Sequence, residues 1–238
     1  MKLAILGYGK MGKTVEEIAS SRNHEIVYIT SDELDIDQLK KADVAIDFSI
    51  PEAAFTNVTS CLEHKVSIVS GTTGWLNQYE EAVEVCKSES GRFLYASNFS
   101  IGVNVFFELN SHLAKMMSGL KEYKVKLKEI HHLEKKDAPS GTAISLADQI
   151  INESNYQTWN HPPQNDKFSI GIEAEREEGV FGFHDVIYDS GIDTISISHN
   201  AKSRKGFAHG AVIAAEWILK QDKGVYSMKD VLQLNSTT

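Results

Sequence analysis

The N-terminal stretch limits the fold more than any other part of the chain. Leu3 to Leu6 is a fully apolar run of strand length, GYGKMG follows with Gly7, Gly9 and Gly12, and Met11, Val15, Ile18 and Ala19 then recur at helical spacing. A strand, a glycine turn and a helix in that order begin an α/β domain built on a parallel sheet. A bare GxGxxG is a weak signal, and a plain βα turn is its bland reading. Placed after a strand and before a helix it becomes a dinucleotide fingerprint, whose glycines permit the tight turn and let a pyrophosphate approach the helix start. The cofactor contacts expected here are Gly7, Tyr8, Gly9, Lys10, Met11 and Gly12.

The next segments extend the same Rossmann-like domain. Ile26 to Ile29 predicts a second strand ending near Asp32, about 20 residues past the glycines, where an acid commonly holds the adenosine ribose hydroxyls. Glu33 adjoins it and is the next candidate. Val44 to Phe48 and Val66 to Ser70 read as two further strands, with Pro51 opening a helix between them. The later strand runs into Gly71, Thr72, Thr73 and Gly74, at the strand end where open parallel sheets place their ligands. A fifth strand, Phe93 to Ala96, leads to Ser97, Asn98, Phe99 and Ser100. The helix after it carries Phe106, Phe107, Leu109, Leu113 and Met116, which we read as core.

The densest chemistry lies in Glu129 to Thr142, EIHHLEKKDAPSGT. Upstream, Tyr123, Val125 and Leu127 alternate with Lys124, Lys126 and Lys128, the pattern of a strand with one buried and one wet face, and His131 and His132 stand at its end. Downstream, Ala143, Ile144, Ala147, Ile150 and Ile151 repeat at helical spacing behind Pro139 and Ser140, residues favoured at the first turn and cap. Gly141 and Thr142 should therefore offer unbonded amides at a helix start, which binds carboxylate or phosphate. Taken singly, Lys135 and Lys136 describe a solvated turn and Ser140 an ordinary cap. Their concentration points instead to holding an anion while moving a proton. Adjacent histidines at a strand end face opposite sides, and no Cys or third His stands nearby at a ligand spacing, so no metal is expected.

Composition narrows the remaining classes. A chain of 238 residues, 42% hydrophobic, suits two modest domains. Ser169 to Ala174, Val180 to Tyr188 and Thr194 to His199 read as strands of a smaller α+β domain with a mixed sheet, the last two joined by a turn at Asp189, Ser190 and Gly191. Residues 156–167 read as an irregular loop, and Ala208 to Leu219 as an apolar helix returning to the first domain. Ser227 and Asp230 read as a cap for a last short helix. A net charge of −9 argues against a nucleic-acid surface. No apolar run approaches the ~20 residues of a membrane span. Two cysteines, Cys61 and Cys86, and a start without an apolar leader fit a reducing cytoplasm.

The stretch HHLEKKDAPSGTA resembles the signature HHxxKxDAPSGTA of dihydrodipicolinate reductases, and further matches extend the likeness over nearly the whole chain. The resemblance implies reduction of 4-hydroxy-tetrahydrodipicolinate, a small dicarboxylate, with NADH or NADPH and loss of water, in lysine and diaminopimelate synthesis. It implies His131 as proton donor or acceptor, Lys135 as proton donor, and His132, Gly141 and Thr142 as substrate contacts; Lys136 receives no role. It also implies that the GTTG loop meets the nicotinamide half of the cofactor, that Phe48 lies beside the nucleotide, and that Ser97, Asn98, Phe99 and Ser100 contact the cofactor at a hinge, with a return crossing at Ser203 to Phe207. The domains would then be 1–100 with 208–238 for the cofactor, and 101–207 for substrate and for assembly into a homotetramer. GYGKMG is one residue tighter than the GxxGxxG of many relatives, and no arginine follows Asp32 to receive a 2′-phosphate. An acid there favours NADH, yet Lys10 and Lys13 could compensate, so both cofactors stay open.

Two other readings fit the residues less well. A dinucleotide-binding sensor has no need of a proton donor beside an anion clamp. A homoserine or semialdehyde dehydrogenase would lack the HHLEKKDAPSGT loop, and no cysteine here stands in a nucleophile setting.

Overall fold

The computed structural model describes residues 1–163, 166–203 and 205–234; Gln164 and Asn165 of the expected loop and Arg204 of the expected return crossing lie outside them. The chain forms two compact units, Met1–Ile101 with Lys205–Thr238, and Gly102–Arg204. In chain order the elements are β1 (Lys2–Leu6), α1 (Lys10–Ser21), β2 (Glu25–Thr30), α2 (Ile36–Leu39), β3 (Val44–Asp47), α3 (Pro51–Glu63), β4 (Ser67–Ser70), α4 (Tyr79–Ser88) and β5 (Arg92–Tyr95). There follow α5 (Ile101–Met117), β6 (Lys124–His131), α6 (Gly141–Glu153), β7 (Thr158–Asn160), β8 (Ser169–Arg176), β9 (Gly182–Asp189) and β10 (Thr194–Ala201). The chain closes with α7 (Lys205–Ile218), β11 (Gly224–Tyr226) and α8 (Met228–Val231).

The first unit is a six-stranded sheet ordered β2-β1-β3-β4-β5-β11, with every recorded pairing parallel. Parallel strands covered on both faces must be apolar throughout, which is why β1 reads as an unbroken run. Alternation then splits its side chains: Leu3 and Ile5 join Val15 and Ala19 of α1 and Ala211 and Ala215 of α7, while Ala4 and Leu6 join Val58 and Leu62 of α3. β1 leads outward to β2 and β3 leads the other way, so the strand order reverses between β1 and β3. That reversal opens a crevice at their carboxyl ends.

The second unit is a mixed sheet ordered β10-β9-β6-β8-β7, antiparallel across β6–β9 and β9–β10 and parallel across β6–β8 and β7–β8. One face buries Val125, Leu127, Ile172, Val186 and Tyr188 against Leu146 and Ile150 of α6 and Phe106 of α5. The opposite face carries the lysines of β6, with Lys128 Nζ 2.8 Å from Glu175 Oε1.

Three expectations needed correction. Thr158–Asn160 is not loop but a short strand paired with β8, because Trp159 is partly buried against the second core. In α5 the buried positions are Val103, Phe106, Asn110, Ala114 and Met117, while Leu109 and Met116 are 53% and 69% exposed. Leu109 and Met116 lie seven residues apart on another face of the helix, so hydrophobicity alone misassigned them to the core. Pro139 precedes the α6 cap and does not enter its first turn.

Candidate active site

In the first unit the glycines have distinct jobs. Gly7 has φ +89°, and a Cβ there would stand 2.2 Å from the Phe48 carbonyl oxygen. A Cβ on Gly12 would stand 2.1 Å from the Gly7 oxygen, so this glycine lets α1 pack on the β1 turn. Gly9 is different: a Cβ would meet nothing within 4 Å. It caps α1 with no side-chain hydrogen bond, and no acid stands in the first turn, so the helix start has amides to give to an anion. A cavity of about 700 Å³ runs from Gly7, Tyr8 and Gly9 past Phe48 to Asp32 and Glu33. A second, of about 380 Å³, is lined by Lys10, Met11, Phe48, Gly71, Thr72 and Thr73. Open space at a glycine-capped helix start, with an exposed acid at the far end, fits a dinucleotide.

The loops at the strand ends are held by a residue that sequence reasoning passed over. Asp47, fully buried at the end of β3, accepts hydrogen bonds from Ser49 Oγ (2.6 Å), Asn57 Nδ2 (3.0 Å), Ser70 Oγ and Thr72 Oγ1 (both 2.8 Å). Thr72 Oγ1 in turn accepts the Ser49 N–H at 2.9 Å. One carboxylate thus ties the turn after β3 to the GTTG loop after β4. Phe48 lies over Gly71, where a Cβ would come within 2.2 Å of its ring. Phe99 is buried in the core, edge-on to Phe48 at 5.8 Å, so its ring serves packing and only its backbone is left for a ligand. Ser97 is exposed, and the Ser100 N–H donates to Asn98 Oδ1 at 2.9 Å.

In the second unit, the buried face of β6 turns polar towards its end. Val125 and Leu127 give way to Glu129 and His131 on the same face, with Glu129 directly opposite His184 of β9 and His131 opposite Arg176 of β8. Glu129 is 0% exposed, and both its oxygens stand 3.1 Å from the Ser140 N–H. Its Oε2 lies 3.7 Å from His131 Nδ1 and from His184 Nε2, and its Oε1 3.5 Å from Arg176 Nη1. The His131 and His184 rings meet edge to face, 5.0 Å apart, and a Cβ on Gly182 would press on His131 Nε2 at 3.3 Å. Ser140 caps α6 by accepting the Ala143 N–H, leaving the Gly141 and Thr142 amides without an intrahelical acceptor. A Cβ on Gly141 would meet nothing within 4 Å. His132 is partly buried, and its carbonyl accepts the Lys135 N–H at 3.1 Å. Lys135 Nζ pairs with Asp137 at 2.8 Å, while Lys136 is exposed. Arg176 braces this loop by donating to the carbonyls of Lys135 (3.3 Å) and Asp137 (2.6 Å).

These contacts set the charge of the site. Burial, then the neighbouring His184, hold the His131 imidazole down at about 4 despite the opposing pull of Glu129, so it is neutral at neutral pH. Burial pushes Glu129 up, but the His184 ring nitrogen 3.7 Å away, the Ser140 amide and the field of His131 outweigh it and hold the carboxyl at about 2. Ligand-capable atoms of Glu129, His131 and His184 lie within 4.8 Å of one another. The Arg176 guanidinium and the Ser140 amide already direct positive charge at the same carboxylate, which makes the trio a hydrogen-bonding cluster and a poor cation site. Burial pushes the thiols of Cys61 and Cys86 up, which suits neither as a nucleophile.

Residues 1–99 match the family description "Dihydrodipicolinate reductase, N-terminus" and residues 102–232 "Dihydrodipicolinate reductase, C-terminus". A 4-hydroxy-tetrahydrodipicolinate reductase of Christiangramia forsetii is 54% identical over 234 residues, 98% of each chain. One of Methanosarcina acetivorans is 37% identical over 98% of this chain and 89% of its own. A solved dihydrodipicolinate reductase from Paenisporosarcina sp. TG-14, with dipicolinate bound, shares the fold with a TM-score of 0.78 at 22% identity, over 95% of this chain and 97% of that one. Matched in both halves and along its full length, the chain belongs to the dihydrodipicolinate reductase family of pyridine-nucleotide oxidoreductases, which reduce 4-hydroxy-tetrahydrodipicolinate with NADH or NADPH in lysine biosynthesis.

Proposed function

We propose that Met1–Ile101 with Lys205–Thr238 holds the cofactor, that Gly102–Arg204 holds the substrate, and that the family reaction runs on the groups described above. The amides at Gly9 to Gly12 take the pyrophosphate, with Gly7 and Tyr8 shaping the turn, and Asp32 takes the ribose hydroxyls. Phe48, Gly71, Thr72, Thr73 and the Ser97 to Ser100 backbone flank the nicotinamide half. When bound, the reduced nicotinamide supplies a hydride.

The net reaction takes up one hydride and one proton and releases one water. Losing a hydroxyl as water needs an acid, and forming the double bond returns a proton, so the protein needs a group that both gives and takes protons. His131 fits: its Nδ1 faces Glu129, leaving Nε2 for the substrate. Lys135 Nζ is a second donor, released from Asp137 when a substrate carboxylate competes for it. The amides of Gly141 and Thr142, the Thr142 hydroxyl and His132 hold a carboxylate. The carrying observation is that the α6 start and the buried Glu129, His131 and His184 meet on one face of one sheet.

The test is cofactor oxidation with NADH and with NADPH, the substrate being formed in place from pyruvate and aspartate semialdehyde. His131→Ala and Lys135→Ala should each lower kcat by about 10²-fold or more at unchanged cofactor Kd. Wild-type turnover in either variant removes that residue from the proton path.

We also infer a homotetramer. Its support is β10, an eight-residue edge strand exposed along much of its length, with Ile195 on it at 38% exposure and Ile192 in the turn before it at 90%. Light scattering should give four times the chain mass, and a monomer would refute the assembly. The same proposal places the enzyme in the cytoplasm, consistent with two free, buried cysteines. Among the described residues, no helix is long and apolar enough to cross a membrane.

A further inference from the structure

We propose that Glu129 is a positioning residue that joins the carboxylate cradle to the proton-carrying imidazole, so that the dicarboxylate's arrival at the α6 start drives a proton onto His131. The inference rests on the reading of His131 as the proton carrier. It starts from an imbalance in the free site. A fully buried carboxylate makes close hydrogen bonds to one amide, that of Ser140, while His131 Nδ1, His184 Nε2 and Arg176 Nη1 stand off at 3.5–3.7 Å. His131 Nδ1 is itself buried with no hydrogen-bond partner. An unpaired buried nitrogen next to an underused buried acceptor is costly, and an Nδ1–H hydrogen-bonded to Glu129 satisfies both; with Nε2–H turned to the substrate as the acid, that state is the imidazolium, its extra proton taken from solvent.

The remaining charges decide when that happens. Arg176 from β8, Lys135 from the loop and His184 from β9 all disfavour a further positive charge on His131, and Glu129 is the one carboxylate facing it among the described residues. His199 of β10 lies under the same His184 field. A dianion bound at the Gly141 and Thr142 amides adds negative charge beside this group and draws Lys135 away. The balance then tips towards imidazolium. Glu129 transmits the event because the amide it holds belongs to Ser140, the residue that caps that helix start. The carboxylate therefore sets the place of the cradle and the charge of the imidazole at once.

Two measurements test this. In the wild-type protein, ¹⁵N-histidine NMR with pyridine-2,6-dicarboxylate and reduced cofactor should show His131 neutral when free and protonated when bound, near pH about 7.5. In Glu129→Gln the amide oxygen still accepts from Ser140, so the Ki of pyridine-2,6-dicarboxylate and the cofactor Kd should stay within about threefold. Its kcat should fall by about tenfold or more, and the alkaline limb of kcat against pH should move down by roughly one pH unit. Glu129→Asp, which keeps the charge, should leave that limb in place even where rate is lost. A purely structural Glu129 would lower Tm in both variants and move the limb in neither, and that result overturns the proposal. So does a His131 that stays neutral with the dicarboxylate bound, a test that needs no variant to fold. Full turnover in His131→Ala would instead overturn the reading of the site on which the proposal stands.

Discussion

Two carboxylates, Asp47 at the end of β3 and Glu129 near the end of β6, are fully buried, each in its own sheet, and their partners differ in kind. Asp47 is surrounded by hydroxyls and one amide at 2.6–3.0 Å, groups with no proton to lose near neutral pH. Glu129 has one backbone amide at 3.1 Å and then two imidazoles and a guanidinium at 3.5–3.7 Å. The first arrangement is saturated and has one state, which suits a loop that must hold a cofactor the same way in every turnover. The second is loose and has two states, because the His131 imidazole facing it can change charge. Burial alone does not tell a scaffold from a switch; the chemistry of the donors does.

The largest expected effect follows from the saturated site. Asp47→Leu strands four donors in the interior and should cost about 3–5 kcal/mol, measured by urea unfolding. The deficit should be flat between about pH 6 and 8, since hydroxyl and amide donors do not titrate there. A loss below about 1 kcal/mol, or one that changes across this range, would break the contrast with Glu129.

The switch site should show its character in acid. His131 is held at about 4 against an ordinary 6.5, so between those values the unfolded chain binds a proton that the native state refuses. Its contribution is present above 6.5 and is lost as pH falls towards 4. Glu129, at about 2 against 4.5, contributes above 4.5 and loses that contribution as pH falls towards 2. Each is worth on the order of 3 kcal/mol at about 1.4 kcal/mol per pH unit, and they do not add, because the groups face each other. Unfolding at a series of pH values should show stability falling from about 6.5 downward, and His131→Asn should remove the upper part of that fall. A wild type that holds full stability down to pH 4.5 would show that His131 is not kept neutral by the fold.

How much of this was legible in the chain follows from the same contrast. The β1 turn was readable because GYGKMG states its geometry locally, and the α6 start because Ser140 and Gly141 do the same. Asp47 was not, since only Ser49 and Asn57 are near it in the chain, while Ser70 and Thr72 reach it through the parallel pairing that sets Asp47 opposite Ser70. Glu129 was half legible. The alternation that buries Val125 and Leu127 also puts Glu129 and His131 on the inner face, and carrying it two residues further would have flagged a buried acid. His184 has the same parity as Val186 and Tyr188 on its own strand, but nothing in sequence says that β9 lies opposite β6 in that register. Leu109 and Met116 misled in the opposite direction, being apolar and exposed.

The smallest expected effect concerns a third carboxylate, Asp32, which is exposed and so tests the comparison from outside. Its N–H is held by Thr30 Oγ1 at 3.1 Å, and it lines the cavity of about 700 Å³ together with Glu33. Water and salt screen an exposed charge, so its removal should leave stability within about 0.5 kcal/mol of wild type and act through the ligand alone. Asp32→Ser removes an acceptor for ribose hydroxyls and a charge that repels a 2′-phosphate, so NADH should weaken while NADPH strengthens. Lys13 lies over the Tyr8 ring at 5.7 Å, which leaves Lys10, beside the GTTG loop, as the less engaged cation. The ratio of the two affinities, read by fluorescence titration, should shift towards NADPH by about tenfold, equivalent to about 1.4 kcal/mol. An unchanged ratio would pass the role to Glu33. A large loss of stability would show that Asp32 is bound into the fold as the two buried acids are.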